Sequence, residues 1–242
     1  MKNQSYIYLA CILFMYACGS DSDSNTSEEE AKKDIHRIYL AETTFKDVFD
    51  GTIGDAKNID VKNVYVSESA ILDTLSINIS RNNIAVITYE NLSTEERELY
   101  GYIGVDISRK NKEKDPFTFS MKSAEKMNNA KKVAYQFAET ISNASYQDLE
   151  SILDPGFNPK KNTKEIQEYF SEITASTGKV INHYYYGAGE GKHESKTYYS
   201  FLGTLVYGNG MTQNFYVNVF EGSTFIEAYN ISPLNMDPID LQ

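Results

Sequence analysis

The chain reads as an α+β protein built from two successive units. The first is an N-terminal helix followed by an antiparallel sheet, and the second is three helices on a curved antiparallel sheet. Three observations predict this. Apolar residues recur every three or four positions in some stretches and alternate in others. These stretches come in blocks, helix before strands and then again helix before strands, without the strand–helix alternation of a parallel sheet. Short glycine-bearing turns separate the later strands, which makes them antiparallel neighbours.

In chain order, Ser27-Glu28-Glu29-Glu30 is a capping box, with Ser27 as N-cap and Glu30 at the third helical position. A helix is expected from there through Ile35, Ile38, Tyr39, Phe45, Val48 and Phe49, ending at Asp50-Gly51. Alternation then predicts strands at Val61–Val66, Leu75–Ile79, Ile84–Tyr89 and Leu99–Ile107. Arg81-Asn82-Asn83 fits the turn between the second and third. This first unit covers 28–110, and a linker at 111–119, whose charged part 111–116 ends in a proline, is expected to join it to a separately packed second unit at 120–232.

From Ser120 the helical period returns through Met127, Ala130, Ala134, Phe137, Ala138 and Ile141. A short helix through Leu149, Ile152 and Leu153 stops at Asp154-Pro155-Gly156, and a third carries Ile166, Tyr169, Phe170 and Ile173 before Gly178. Strands are expected at Val180–Tyr186, Thr197–Tyr207, Met211–Phe220 and Thr224–Ile231, with a wide connection over Gly187–Ser195 and a loose tail at 233–242. A long helix, a short helix ending in Asp-Pro-Gly-Phe at 154–157, a third helix and then tyrosine-rich strands together resemble the NTF2-like, cystatin-like superfamily. That resemblance implies helices packed on a concave sheet. It extends to enzymes and to non-catalytic binding modules, so it does not choose a function.

Residues 1–17 have one charge, Lys2, and an apolar run from Tyr6 to Ala17. At about a dozen residues the run suits a secretory signal and is short of the ~20 needed to cross a bilayer. Met15-Tyr16-Ala17-Cys18-Gly19 then resembles the cleavage box of a bacterial lipoprotein, although Met15 and Tyr16 depart from its usual residues. The resemblance implies that Cys18 becomes the lipidated first residue and that its acyl chains hold the protein to the lipid bilayer. The expected location is the bacterial cell envelope, at the outer membrane. Residues 18–27 read as a flexible acidic tether. Their Ser/Asp tract resembles the surface-export signal of Bacteroidetes lipoproteins, which implies surface exposure. Asp21, Asp23 and Asn25 mimic the start of a calcium loop, but Thr26 and Lys32 stand where that loop needs its glycine and its closing Glu.

Composition excludes several chemistries. A net charge of −11 argues against nucleic acid, which demands basic patches. Both cysteines, Cys11 and Cys18, lie in or beside the leader, so the folded part has no thiol chemistry. His36, His183 and His193 lack metal-ligand spacing, so no metal and no cofactor are expected. No Gly-x-Ser-x-Gly elbow is present. The glycine-rich 187–191 precedes a strand and carries Glu190, which suits a hairpin and not a phosphate cradle. Within an NTF2-like pocket, His183, Glu227 and Tyr229 are the strand residues able to act, with Ile226 competing against Glu227 for the inward face. Asp73-Thr74-Leu75 resembles a Bacteroidetes O-glycosylation acceptor, which implies modification at Thr74. The expected role is non-catalytic binding of a protein or small ligand. A small pocket enzyme and a structural accessory of an envelope complex are the alternatives.

Overall fold

The computed structural model describes residues 22–53, 56–67, 69–110 and 116–235. The leader, Cys18, most of the charged linker and the end of the tail lie outside the described residues. The architecture is α+β, with two four-stranded sheets and helices between and against them.

Helix α1 spans Ser22–Tyr39, so it starts before the expected cap at Ser27, and the second half of the expected tether is helical. Its glutamates pair with lysines one turn on, Glu29 with Lys32 at 2.7 Å and Glu30 with Lys33 at 2.6 Å. Ala31, Ile35, Ile38 and Tyr39 form its buried stripe. The helix does not continue to Phe49. Leu40 turns left-handed with φ 50°, and Thr43–Ile53 is strand β1. The expectation failed because Phe45, Val48 and Phe49 fit either period, whereas Thr43 and Thr44 favour a strand.

β1 forms a hairpin with β2, Ala56–Val66. The two expected strands at 75–79 and 84–89 are instead mostly one helix. The chain runs through α2 (Ala70–Thr74), α3 (Ile77–Asn91) and α4 (Thr94–Leu99) before β3 (Tyr102–Ile107) pairs parallel to β2. Helix α3 is buried almost all round, from Ser80 and Arg81 through Tyr89, so it shows no polar face from which a helical period could be read. A continuous apolar run such as Ile84–Ile87 cannot be told from a buried strand by pattern alone. β4, Phe117–Ser120, pairs antiparallel with β3, so the expected linker ends inside the first sheet.

The second half follows its expectations closely. Ser120 caps helix α5 (Met121–Ser142), accepting from the Ser123 amide at 3.1 Å. Short α6 (Leu149–Ile152) and long α7 (Pro159–Thr177) follow, and Gly178 ends α7 at φ 79°. Strands β5 (Val180–His193), β6 (Lys196–Tyr207), β7 (Thr212–Phe220) and β8 (Ala228–Ile231) make an antiparallel meander in that order. The wide connection at 187–195 is instead strand up to His193, closed by a tight turn with Glu194 at φ 53°. Residues 224–227 precede β8 and are not part of it.

The two units are not packed separately. One contiguous core runs from Ile35 and Val64 through Ile84 and Ile87 to Phe137, Phe201, Phe215 and Ile226. Helix α3 lies against β5, the edge strand of the second sheet. Buried Asn83 donates to the Tyr185 carbonyl at 3.0 Å and to the Tyr39 hydroxyl at 2.8 Å, and that hydroxyl donates to the Tyr186 carbonyl at 2.8 Å. Side chains of the first half thus satisfy edge carbonyls of the second.

Lys62 is the other polar anchor. It is 1% exposed on the inward face of β2 and binds Glu28 of α1 at 2.5 Å and Asp47 of β1 at 2.9 Å. Its ammonium also lies 5.8 Å from the Phe45 ring centroid and 5.4 Å from that of Tyr100. Burial works against its charge, but the bonds to Glu28 and Asp47 outweigh that and hold its pKa above the usual lysine value. A raised lysine pKa places this contribution fully below the unfolded-state value of about 10.4, to be lost only as pH rises through the folded-state value. Lys62→Ala should cost about 3 kcal/mol in urea unfolding near pH 7, because it opens a cavity and strips Glu28 and Asp47 of their cation. Lys62→Met keeps the volume and should cost clearly less. Equal losses for both variants would remove the ion pairs from this explanation.

Candidate functional site

The three strand residues expected to line one pocket stand in three separate places. His183 on β5 is half-buried against α5, with Nδ1 3.1 Å from the Ser142 hydroxyl and its ring edge-on to Tyr135 at 5.0 Å. Burial lowers its pKa, and its Nε2 is enclosed with no hydrogen-bond partner in the structure. Tyr229 on β8 packs on Phe137 with centroids 5.4 Å apart, and burial raises its pKa. Ile226 takes the inward position, fully buried, so Glu227 turns to the opposite face. Thr74 ends α2 with its side chain exposed and its hydroxyl donating to the Ile71 carbonyl at 2.8 Å. Cys18 lies outside the described residues.

Beneath α5, the helix-facing side of the second sheet is filled. Tyr185, Phe201, Phe215 and Val217 are buried there against Ala134, Phe137 and Ala138 of α5. Tyr185 contacts Phe201 and Phe215 edge-on at 6.2 and 5.4 Å, and its hydroxyl donates to the Ala134 carbonyl at 2.5 Å. Aromatic rings and a satisfied hydroxyl thus fill the space between α5 and the centre of the sheet.

Three clefts stand out among the described residues. One of about 250 Å³ lies on the helix-facing side, between α7 and β8, lined by Glu165, Ile166, Tyr169, Tyr229, Asn230 and Ile231. A second, of about 170 Å³, sits between α1, α3, α5 and β5, lined by Asp34, Arg37, Glu90, Lys131, Tyr135 and Tyr184 among others. Its charges neutralise one another. Arg37 binds Asp34 at 3.0 Å, and buried Lys131 binds Glu90. Asn91 donates to the Asp34 carboxylate at 3.3 Å.

The third, of about 420 Å³, opens on the opposite face of the second sheet, lined by His193, Tyr198, Asn218, Phe220, Glu227 and Ala228. That size falls within the roughly 300–1,000 Å³ of small-ligand sites. A glycine of β5 explains how one of its walls is placed. The Tyr198 ring lies across Gly191, where an added Cβ would come within 2.3 Å of the ring. Tyr198 pairs across the sheet with Phe220, their rings edge-to-face at 6.5 Å. Glu227 is held from both sides. Its amide donates to the Asn218 carbonyl at 2.9 Å, and the preceding Ile226 exchanges backbone bonds with Ile152 and Asp154 at 2.7 and 3.0 Å. The Glu227 carboxylate accepts from the Ser223 hydroxyl at 3.1 Å. Burial raises its pKa and the nearby negative charge of Asp154 adds to that, while Ser223 opposes it.

Sequence reasoning singled out Glu227 but missed its company, because Tyr198 and Phe220 come from other strands. Gly191 is the available signal, since it leaves room for the Tyr198 ring. Among the described residues, no group of three or more His, Cys, Asp or Glu could hold a metal ion, and no helix is long and apolar enough to cross a membrane. Compared with protein families, curated proteins and solved structures, the chain matches none of them.

Proposed function

We propose that this chain is a lipid-anchored protein of the bacterial cell envelope, held through acyl chains on Cys18, whose folded part binds a ligand or a protein partner without catalysing a reaction. The observation that carries the binding role is the dispersal of His183, Glu227 and Tyr229 into three separate surroundings. Enzymes in cone-shaped folds work on a group desolvated beside an open space. Here Phe137, Tyr185, Phe201 and Phe215 fill the centre of the helix-facing side, and the cleft left beside α7 holds Tyr229 without His183 or Glu227. Helices against an antiparallel meander are in keeping with an NTF2-like second half. The anchor rests on the order of leader, Ala17-Cys18 and acidic tract.

Two acyl chains hold a protein at a bilayer where one binds only marginally. The wild-type chain, expressed in a bacterium that processes lipoproteins, should therefore sediment with membranes and need detergent for release. Cys18→Ala should move to the soluble fraction or persist as uncleaved precursor. If mature wild-type and variant chains are equally soluble, the anchor is wrong.

A further inference from the structure

Within the binding role proposed above, we infer that the outer-face cleft of the second sheet is a site for an organic cation, an alkylammonium group seated between the Tyr198 and Phe220 rings and the Glu227 carboxylate.

Geometry makes the cleft selective. Two aromatic rings form its walls, and ring faces attract cations that are partly stripped of water. The protein's own Lys196 shows that this ring accepts one, with its ammonium 5.3 Å from the Phe220 centroid. Glu227 supplies the counter-charge. Its carboxylate accepts from an uncharged hydroxyl and lies beside Asp154, and among the described residues it forms no ion pair with a cation. This is the contrast with the cleft at the unit junction, where Arg37 and Lys131 already have their acids. A carboxylate that is half-buried, near Asp154 and without a bonded cation gains more from an arriving ammonium than a paired one does. Anions meet Glu227 and Asp154 and are repelled. Neutral polyols leave the carboxylate uncompensated. The backbone bonds on either side of Glu227 place it before a ligand arrives, so little ordering opposes binding.

The pH dependence has a definite sign. Glu227 attracts a cation only when ionised, and the charged or titratable groups facing it are Asp154, Lys196 on β6 and His193 on β5. Affinity should therefore fall as pH is lowered and Glu227 protonates.

The test is titration of the full chain, followed by NMR or calorimetry, with N-acetyl-lysine methylamide as the alkylammonium probe. The Nε-acetylated form of the same molecule is the neutral control. The amine should bind with shifts at Tyr198, Phe220 and Ala228, and the neutral form should bind roughly tenfold more weakly or not at all. Glu227→Gln should weaken the amine by a similar factor. Lys196→Gln, which vacates the Phe220 ring, should strengthen it. Spermidine separates the sources, since tighter binding of spermidine supports a free polyamine and tighter binding of the lysine amide supports a protein side chain. Equal binding of charged and neutral probes, no effect of Glu227→Gln, or preference for a neutral sugar such as N-acetylglucosamine would overturn the inference. None of these outcomes touches membrane anchoring, which fractionation reads separately.

Discussion

A fragment beginning at Ser120 should not fold alone. The second sheet depends on the first half of the chain along β5, a 14-residue edge strand covered by α3. Cutting before Ser120 removes Tyr39, Ile84 and Ile87 from the shared core and takes away the Asn83 and Tyr39 groups that bond the Tyr185 and Tyr186 carbonyls. An exposed apolar face and a bare strand edge would remain, which favours aggregation over folding. Circular dichroism of residues 120–242 should show no cooperative melt, while the full chain melts as one unit. A cooperative transition in the fragment would mean that the two halves hold separate cores after all.

The second large effect is expected at Asn83, which joins α1, α3 and β5 at zero exposure. Asn83→Asp keeps the shape but removes both donated bonds, to the Tyr185 carbonyl and the Tyr39 hydroxyl. It places a carboxylate against an acceptor in a fully buried site. Breaking a buried polar network in this way costs about 3–5 kcal/mol near neutral pH. For a chain of this size that lowers the melting temperature by roughly 10 °C or more. The new carboxyl would have its folded-state pKa raised by burial. The variant should therefore recover stability relative to wild type as pH falls through that value and lose it as pH rises. Asn83→Ala, which carries no charge, should be destabilised with no such pH dependence. If Asn83→Asp melts like wild type at pH 7, Asn83 does not bridge the halves in the way described.

How far the fold could be read from the residues depended on whether each element keeps a wet face. Helices α5 and α7 show polar residues on one side and are bounded by Ser120 and Gly178, so their period and ends were plain. Helix α3 is enclosed by both halves of the protein, so its run Ile84–Ile87 fits a buried strand as well as a helix, and Arg81-Asn82-Asn83 fits a turn. Helix α4 carries a signal of its own. Ser93 and Glu96 form a reciprocal capping box, with bonds of 3.1 and 2.8 Å, between the stretches that alternate. With strands expected at Leu75–Ile79 and Ile84–Tyr89, the parallel pairing of β2 with β3 is out of reach, because a parallel pair needs the crossover that α3 and α4 supply.

The polar anchors were hidden for a related reason. A lysine in an alternating strand implies a solvated face, yet Lys62 shares the inward face with Val64 and is buried by α1. Asn83 was read as a turn residue because asparagine favours turns. At the outer-face cleft, Glu227 could be singled out and its outward orientation argued from Ile226. Its aromatic walls depend on pairing between β6 and β7, which local pattern does not specify residue by residue.

The proposed anchor turns on one atom, the sulfur of Cys18. Intact-mass spectrometry of the full chain purified from bacterial membranes tests it most directly. The mature protein should begin at Cys18 and carry the added mass of more than one acyl chain, with residues 1–17 absent. An unmodified terminus at any other residue, or a membrane-extracted chain that still holds the leader, would contradict a lipid-anchored binding protein.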